Sequence, residues 1–358
     1  MAVFMSISAS VMETLEVLID LNLPVLLWGP PGVGKSSTMN ALAEKRRWAL
    51  IDMRLGQMSP VDLRGVPVPD HNTKRTTWYP PSELPDEKRD GKCGILFLDE
   101  LLQAPRDVQS AALQLVLDRR LGEYKLPPEW RVVAASNRVS DKAGTYQIIS
   151  SLANRFVHIP VACSMPSLDI SDTGVEVNAE DWKKWALQND VAEEIVAFIN
   201  YRPNLLWRPT GQVAFPTPRM WGDYVNKIIK HAGLNQLAIA GCIGEGPAAE
   251  FMAFCKLRKE MPDPDAILRG EDVAAPVRPD VTYALCGALA VRVINANKSK
   301  KKEAPRYAQN VMRYLTKLPA EFQVLLLKDM FGGGASNLFW GLPEFSEWVK
   351  EHREVFLA

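Results

Sequence analysis

An α/β fold with a parallel five-stranded sheet, followed by helical regions, is predicted by three features of the 358-residue sequence. The first is the order of elements around one glycine-rich stretch. Val25-Leu26-Leu27-Trp28 is a short apolar run, Gly29–Ser36 reads GPPGVGKS, and Ser37 to Glu44 reads as helix. The second is a set of further short, mostly apolar runs, among them Ile95–Leu98 and Arg131–Ala135, which suit strands covered on both faces. The third is that strand signals stop near Cys163, after which helical spacing dominates.

Taken in order, Val11 to Leu21 carries apolar residues at helical spacing (Val11, Leu15, Leu18, Ile19), and Pro24 opens the first strand. GPPGVGKS then fits the phosphate-binding pattern of glycine, four residues and Gly-Lys-Ser. Glycines let the backbone wrap closely around phosphate with several N–H groups turned inward, and the following helix adds its positive end. Lys35 is expected to reach the β- and γ-phosphates, and the Ser36 hydroxyl to ligate Mg²⁺. The candidate nucleotide contacts are Gly29, Pro30, Pro31, Gly32, Val33, Gly34, Lys35, Ser36 and Ser37.

Trp48 to Met53 is the second strand candidate. Gly56 to Gly94 is rich in proline and charge. Within it Val66–Val68 and Thr76–Trp78 flank a polar turn at Asp70–Lys74, which suits either an inserted hairpin or a disordered linker. Ile95–Leu98 ends in Asp99 and Glu100, two carboxylates at the strand end where open α/β sheets bind ligands. Asp99 is expected to hold Mg²⁺ through water, which makes Ser36 and Asp99 the metal site, and Glu100 to activate the attacking water. Pro105 to Arg120 reads as helix, and Arg119 to Tyr124 as a turn into a second short hairpin. Arg131 to Ala135 leads into Ser136-Asn137, and Phe156 to Val161 follows Leu152-Ala153-Asn154-Arg155.

Beyond Cys163, helices are expected over Asp181–Ile199, over Met220–His231 after Thr217-Pro218-Arg219, and in two pieces within Gly233–Leu257. Met261 to Arg278 reads as a linker and Val281 to Ala296 as an apolar helix. The Lys298–Lys302 charge run reads as a solvated loop. Ala308 to Met330 is helical with a break at Pro319, and a last helix lies near Phe345 to Phe356.

Hydrophobic residues at 47% and charged residues at 23% suit a soluble globular chain long enough for two or three domains. Lys plus Arg and Asp plus Glu balance at 42 each, so net charge gives no nucleic-acid footprint. Five scattered cysteines suit reduced thiols in a cytoplasmic protein. The first residues lack a basic region ahead of their apolar run, so no signal peptide is expected. No apolar run is long enough to suggest a membrane span.

GPPGVGKS, ILFLDE, AASN, AGTYQIISSLANRF and TPRMW, in this order across residues 8–230, resemble the AAA+ ATPases of the MoxR type. The resemblance implies an AAA+ core over 1–163, a helical lid over 164–262 and a helical C-terminal extension over 263–358. It implies ATP as the nucleotide. Asn137 matches sensor 1, which helps orient the attacking water. Arg155 matches the arginine finger reaching into a neighbouring subunit, with Arg138 and Arg119 as nearby alternatives, and Arg219 matches sensor 2 on the lid. Gly65–Pro80 and Arg120–Lys125 fall where the family carries hairpins toward the pore of a ring. Where the family often has Asn-Arg after the acidic pair, Leu102-Gln103 stands here, with Arg106 further on.

The resemblance therefore implies an ATPase working as a homo-oligomer, a hexameric ring, that remodels a protein client, with a separate von Willebrand factor A-type protein as a possible partner. Two other readings stay open. One is a motor or loader acting on DNA through Lys74, Arg75, Arg119, Arg120 and Lys125. The other is a slow nucleotide-dependent switch, against which the intact Asp99-Glu100 pair argues.

Overall fold

The structure, a computed structural model, describes residues 9–72, 74–138, 144–161, 179–209, 212–256 and 260–352. The chain divides into two compact units, with the boundary between Asn178 and Ala179.

In the first unit, α1 (Ala9–Asp20) leads into β1 (Val25–Trp28), α2 (Lys35–Arg46) and β2 (Ala49–Arg54). The short helix α3 (Pro60–Arg64) precedes a hairpin of β3 (Val66–Asp70) and β4 (Arg75–Tyr79). After α4 (Glu87–Asp90) come β5 (Gly94–Asp99), α5 (Arg106–Asp118) and a small hairpin of β6 (Arg120–Leu121) and β7 (Tyr124–Lys125). Strand β8 (Trp130–Ser136), α6 (Ser150–Ala153) and β9 (Val157–Pro160) follow. Five of these strands form an all-parallel sheet in the order β2-β5-β8-β1-β9.

All four residues of β1 and the first five of β5 are buried. Both lie inside the sheet, where each face is covered, so their sequences are continuously apolar rather than alternating. Strand β1 lies between β8 and β9, so the crossover from β8 to β9 passes over it, while the chain leaving β1 runs the other way, to β2. Such a reversal opens a crevice beyond the carboxyl ends of the strands. GPPGVGKS begins there.

Of the two readings of residues 56–94, the structured one is correct. Ser59 and Asp62 form a reciprocal capping box that starts α3, with the Ser59 backbone N–H donating to the Asp62 carboxylate at 2.8 Å. The Arg64 guanidinium lies 5.3 Å from the Trp78 ring centroid and joins α3 to the hairpin.

The second unit is helical. It comprises α7 (Ala179–Gln188), α8 (Glu193–Tyr201), a π-helical segment Met220–Val225 running into α9 (Asn226–Ala232), α10 (Gln236–Ile243) and α11 (Glu245–Lys256). It continues with α12 (Pro264–Arg269), α13 (Pro279–Lys298), α14 (Ala304–Leu315), α15 (Ala320–Gly332) and α16 (Pro343–Glu351). Two expectations need correction. The helix expected over Asp181–Ile199 is two helices, separated where Asp190 takes a left-handed conformation at φ 57°. The expected linker at 261–278 contains α12, which is started by the Asp263 side chain accepting from the Asp265 N–H and buries Ala266, Ile267 and Leu268. The expected end of the last helix, at Phe356, lies outside the described residues. No helix among the described residues is long and apolar enough to cross a membrane.

Phe198, Trp221 and Phe251 form one aromatic core of this unit, with ring centroids 5.2–5.6 Å apart. Deep in the same unit, Lys183 Nζ meets Asp329 Oδ1 at 2.8 Å, with side-chain exposures of 4% and 0%, and Asn200 donates to Asp329 Oδ2 at 2.8 Å. Removing one member of such a pair leaves the other charge buried. Asp329→Ala should therefore lower unfolding free energy by about 3–5 kcal/mol in a urea titration.

Candidate active site

The loop is fixed at its root by the sheet. The Gly29 N–H donates to the Ser136 carbonyl of β8 at 3.2 Å. A Cβ at Gly29 would stand 2.9 Å from the Val161 carbonyl oxygen, so only glycine fits between these strands. At the far end, Gly34 takes φ 97° and turns the chain into α2. No side chain caps α2 there, which leaves the first N–H groups of the helix for an anion.

The first two residues of α2 reach two different strand ends. Lys35 is buried, and its ammonium donates to the Gly29 carbonyl at 2.5 Å, the Pro30 carbonyl at 3.1 Å and Asn137 Oδ1 at 2.9 Å. Ser36 Oγ donates to Asp99 Oδ2 at 2.7 Å. Ser37, half-buried, shares the same first turn. Lys35, Ser36, Asp99 and Asn137, separated by up to 102 positions in sequence, thus converge. A hydroxyl beside a carboxylate is an all-oxygen set that suits Mg²⁺, which keeps several waters and takes few protein ligands.

Glu100 follows Asp99 in a left-handed conformation, φ 58° and ψ 34°. Its backbone N–H donates to Asp99 Oδ1 at 2.9 Å, and its carboxylate lies close beside Gly56, between β2 and α3. Such backbone geometry is uncommon outside glycine and is held where the surroundings over-determine it.

Two residues at this site escaped the sequence reading. Ser136 is buried and accepts from the Leu102 N–H at 3.2 Å, tying the turn after the acidic pair to β8. Asp52 lies on β2, two residues before Arg54, which is in register with Asp99. Asp52 is exposed, but partial desolvation of its carboxyl and the charge of Asp99 raise it above the ordinary carboxylate value; Arg54 opposes this and Glu100 adds to it. The acid at the end of WALIDM was a usable signal for Asp52. Ser136 had none beyond its place before Asn137.

The arginines differ in their surroundings. Arg119 is engaged internally: its guanidinium donates to the carbonyls of Pro127 at 2.8 Å, Pro128 at 3.3 Å and Trp130 at 2.7 Å, and to Asn22 at 3.2 Å. That role closes the β7–β8 connection and does not fit a residue that must leave its own subunit. Arg138 is buried. Arg155, just past α6, is exposed, and its guanidinium takes no ion pair or hydrogen bond among the described residues. Arg219 belongs to the second unit. Thr217 caps the helix that follows by accepting from the Met220 N–H at 3.1 Å, and Arg219 is exposed on its first turn. Ala143, the first residue of the AGTYQIISSLANRF stretch, lies outside the described residues.

With this geometry in place, comparison with known proteins gives the class. Residues 24–156 match the family model described as the AAA domain, dynein-related subfamily. Over 147 residues, 38% of this chain, the sequence is 31% identical to midasin of Giardia intestinalis; the match spans 3% of midasin's length. Among solved structures the chain is similar to a RuvB mutant of Thermotoga maritima, at 17% identity over 79% of this chain and 83% of that one, with a TM-score of 0.41. It is also similar to NtrX of Brucella abortus in complex with ADP, at 16% identity over 96% and 67%, with a TM-score of 0.34. Residues 24–156 of the first unit thus carry an AAA domain.

The raised Asp52 gives a pH-dependent test. A carboxylate whose folded pKa exceeds its unfolded value weakens the fold as pH rises through that range. Asp52→Asn should stabilise the protein near pH 7, and the gain should fade toward about pH 4, the unfolded carboxylate value. Urea unfolding at a series of pH values checks the sign.

Proposed function

We propose that this protein is a MoxR-like AAA+ ATPase that hydrolyses ATP at the subunit interfaces of a homo-oligomeric, hexameric ring and remodels a protein partner in the cytoplasm. The observation that carries the reading is a contrast. Lys35, Ser36, Asp99 and Asn137 meet within one chain, whereas Arg155 is exposed and takes no partner among the described residues.

In this reading Lys35 exchanges two loop carbonyls for β- and γ-phosphate oxygens, replacing ammonium–carbonyl hydrogen bonds by contacts between opposite charges. Asn137, held beside Lys35, orients the water that Glu100 deprotonates. Ser36 and Asp99 would hold Mg²⁺, which would supply charge neutralisation at the phosphate oxygens. Arg155 of a neighbouring subunit stabilises the charge that develops on the transferring group. Arg219 contacts the γ-phosphate from a lid formed by residues 164–262, with residues 263–358 as an extension. The hairpins at 66–79 and 120–125 face the pore and engage the client, for which a separate von Willebrand factor A-type protein is the candidate partner.

Glu100→Gln should still bind ATP while turnover falls by about a hundredfold or more. A nucleotide-binding assay beside phosphate release reads both, and retained turnover would remove Glu100 as the base. Mixing tests the shared site. Lys35→Ala and Arg155→Ala should each be nearly inactive alone and regain turnover when mixed, since one chain then supplies the loop and the other the arginine. No recovery would mean that Arg155 acts within its own chain or not at all. Stimulation of turnover by DNA, lost as salt rises, would favour the DNA-motor reading.

A further inference from the structure

We propose that His158 is a positioning residue that couples the phosphate loop to the Arg155 turn; this rests on the reading of Arg155 as the residue donated to a neighbouring site. Trp28 is the last residue of β1, directly before Gly29. Its indole Nε1 donates to His158 Nδ1 at 2.8 Å, and the two rings stack with centroids 5.8 Å apart and an interplanar angle of 18°. On its other edge, His158 Nε2 lies 2.8 Å from the carbonyl oxygen of Ala153, at the end of α6.

An indole N–H can only donate and a carbonyl oxygen can only accept. The two neighbours therefore select one form of the ring, neutral, with its proton on Nε2. The Ala153 carbonyl accepts a second hydrogen bond, from the Phe156 N–H at 3.3 Å. These two bonds bracket Asn154 and Arg155. Strand β9 is itself clamped to β1 on both sides of His158, by Val157 N–H to the Pro24 carbonyl at 2.8 Å and Val161 N–H to the Trp28 carbonyl at 2.6 Å. A shift at the junction of β1 and the loop thus passes through one indole, one imidazole and two hydrogen bonds to the turn that carries Arg155. A purely space-filling role would need only the stacked ring. The hydrogen bonds at both edges make a histidine specific here.

Three substitutions separate coupling from packing. His158→Phe keeps a ring against Trp28 and loses both hydrogen bonds. His158→Gln can accept from Trp28 through its amide oxygen and donate to Ala153 through its amide nitrogen. Trp28→Phe keeps an aromatic ring but removes the indole donor and part of the buried ring volume, so its folded stability is measured alongside its rate. His158→Phe should lower kcat by about ten- to a hundredfold, the range for a misplaced catalytic group, with ATP affinity little changed. Trp28→Phe should do the same and His158→Gln should recover most of the rate. In an Arg155→Ala background, His158→Phe should cause no further loss, because residues acting as one unit are not additive. A full loss added to that of Arg155→Ala, or equal losses in kcat and ATP affinity, would overturn the coupling while leaving the Arg155 reading intact. An unchanged kcat in Arg155→Ala alone would overturn that reading instead. If His158→Phe fails to fold, as thermal unfolding would show, the comparison of Trp28→Phe with His158→Gln decides.

Discussion

Consecutive residues at the start of α2 grip two neighbouring strand ends, and the rest of the site is arranged around that grip. Lys35 reaches Asn137 at the end of β8, and Ser36 reaches Asp99 at the end of β5. A helix starting elsewhere, or a loop one residue longer, would lose one contact or the other. Gly34 in its left-handed conformation and Gly29 against the Val161 carbonyl set where the helix begins. The buried ammonium of Lys35 is tolerated because three oxygens accept from it. The same hydrogen bonds keep it beside the anion-binding end of α2.

The sheet order explains why these groups can meet. With β1 inserted between β8 and β9, the loop that follows β1 lies across the strand ends that carry Asn137 and Asp99. Strand β9, on the other side of β1, brings His158 against Trp28 and places the Arg155 turn next to the root of the loop. Cradle, acid and sensor belong to one side of this arrangement. The exposed arginine belongs to the other, and that asymmetry underlies the proposal that two chains complete one site.

The parts of the molecule legible in the sequence were those encoded locally. GPPGVGKS names its conformation through its glycines, and the buried strands announce themselves through unbroken apolar runs such as Ile95–Leu98. The hairpin at 66–79 was ambiguous because Pro67 and Pro69 weaken a strand signal; the structure uses them in a two-stranded ribbon of β3 with β4. The helix α12 was missed because six residues are too few to show a period, and the break at Asp190 because no glycine or proline marks it, although aspartate tolerates the left-handed conformation. Asp52, Ser136 and His158 depend on register between strands. No local pattern encodes such partners, since strand order decides them. The internal role of Arg119 is a separate case: it follows from how the β7–β8 connection folds back and brings carbonyls eight to eleven residues away against its guanidinium.

The central claim is that one chain holds only part of the catalytic set. Turnover per chain, followed across a dilution series alongside sedimentation velocity in the presence of ATP, tests it most directly. The account predicts that turnover per chain falls as assemblies dissociate, with the same midpoint concentration in both measurements. Constant turnover per chain through complete dissociation to monomers would contradict it.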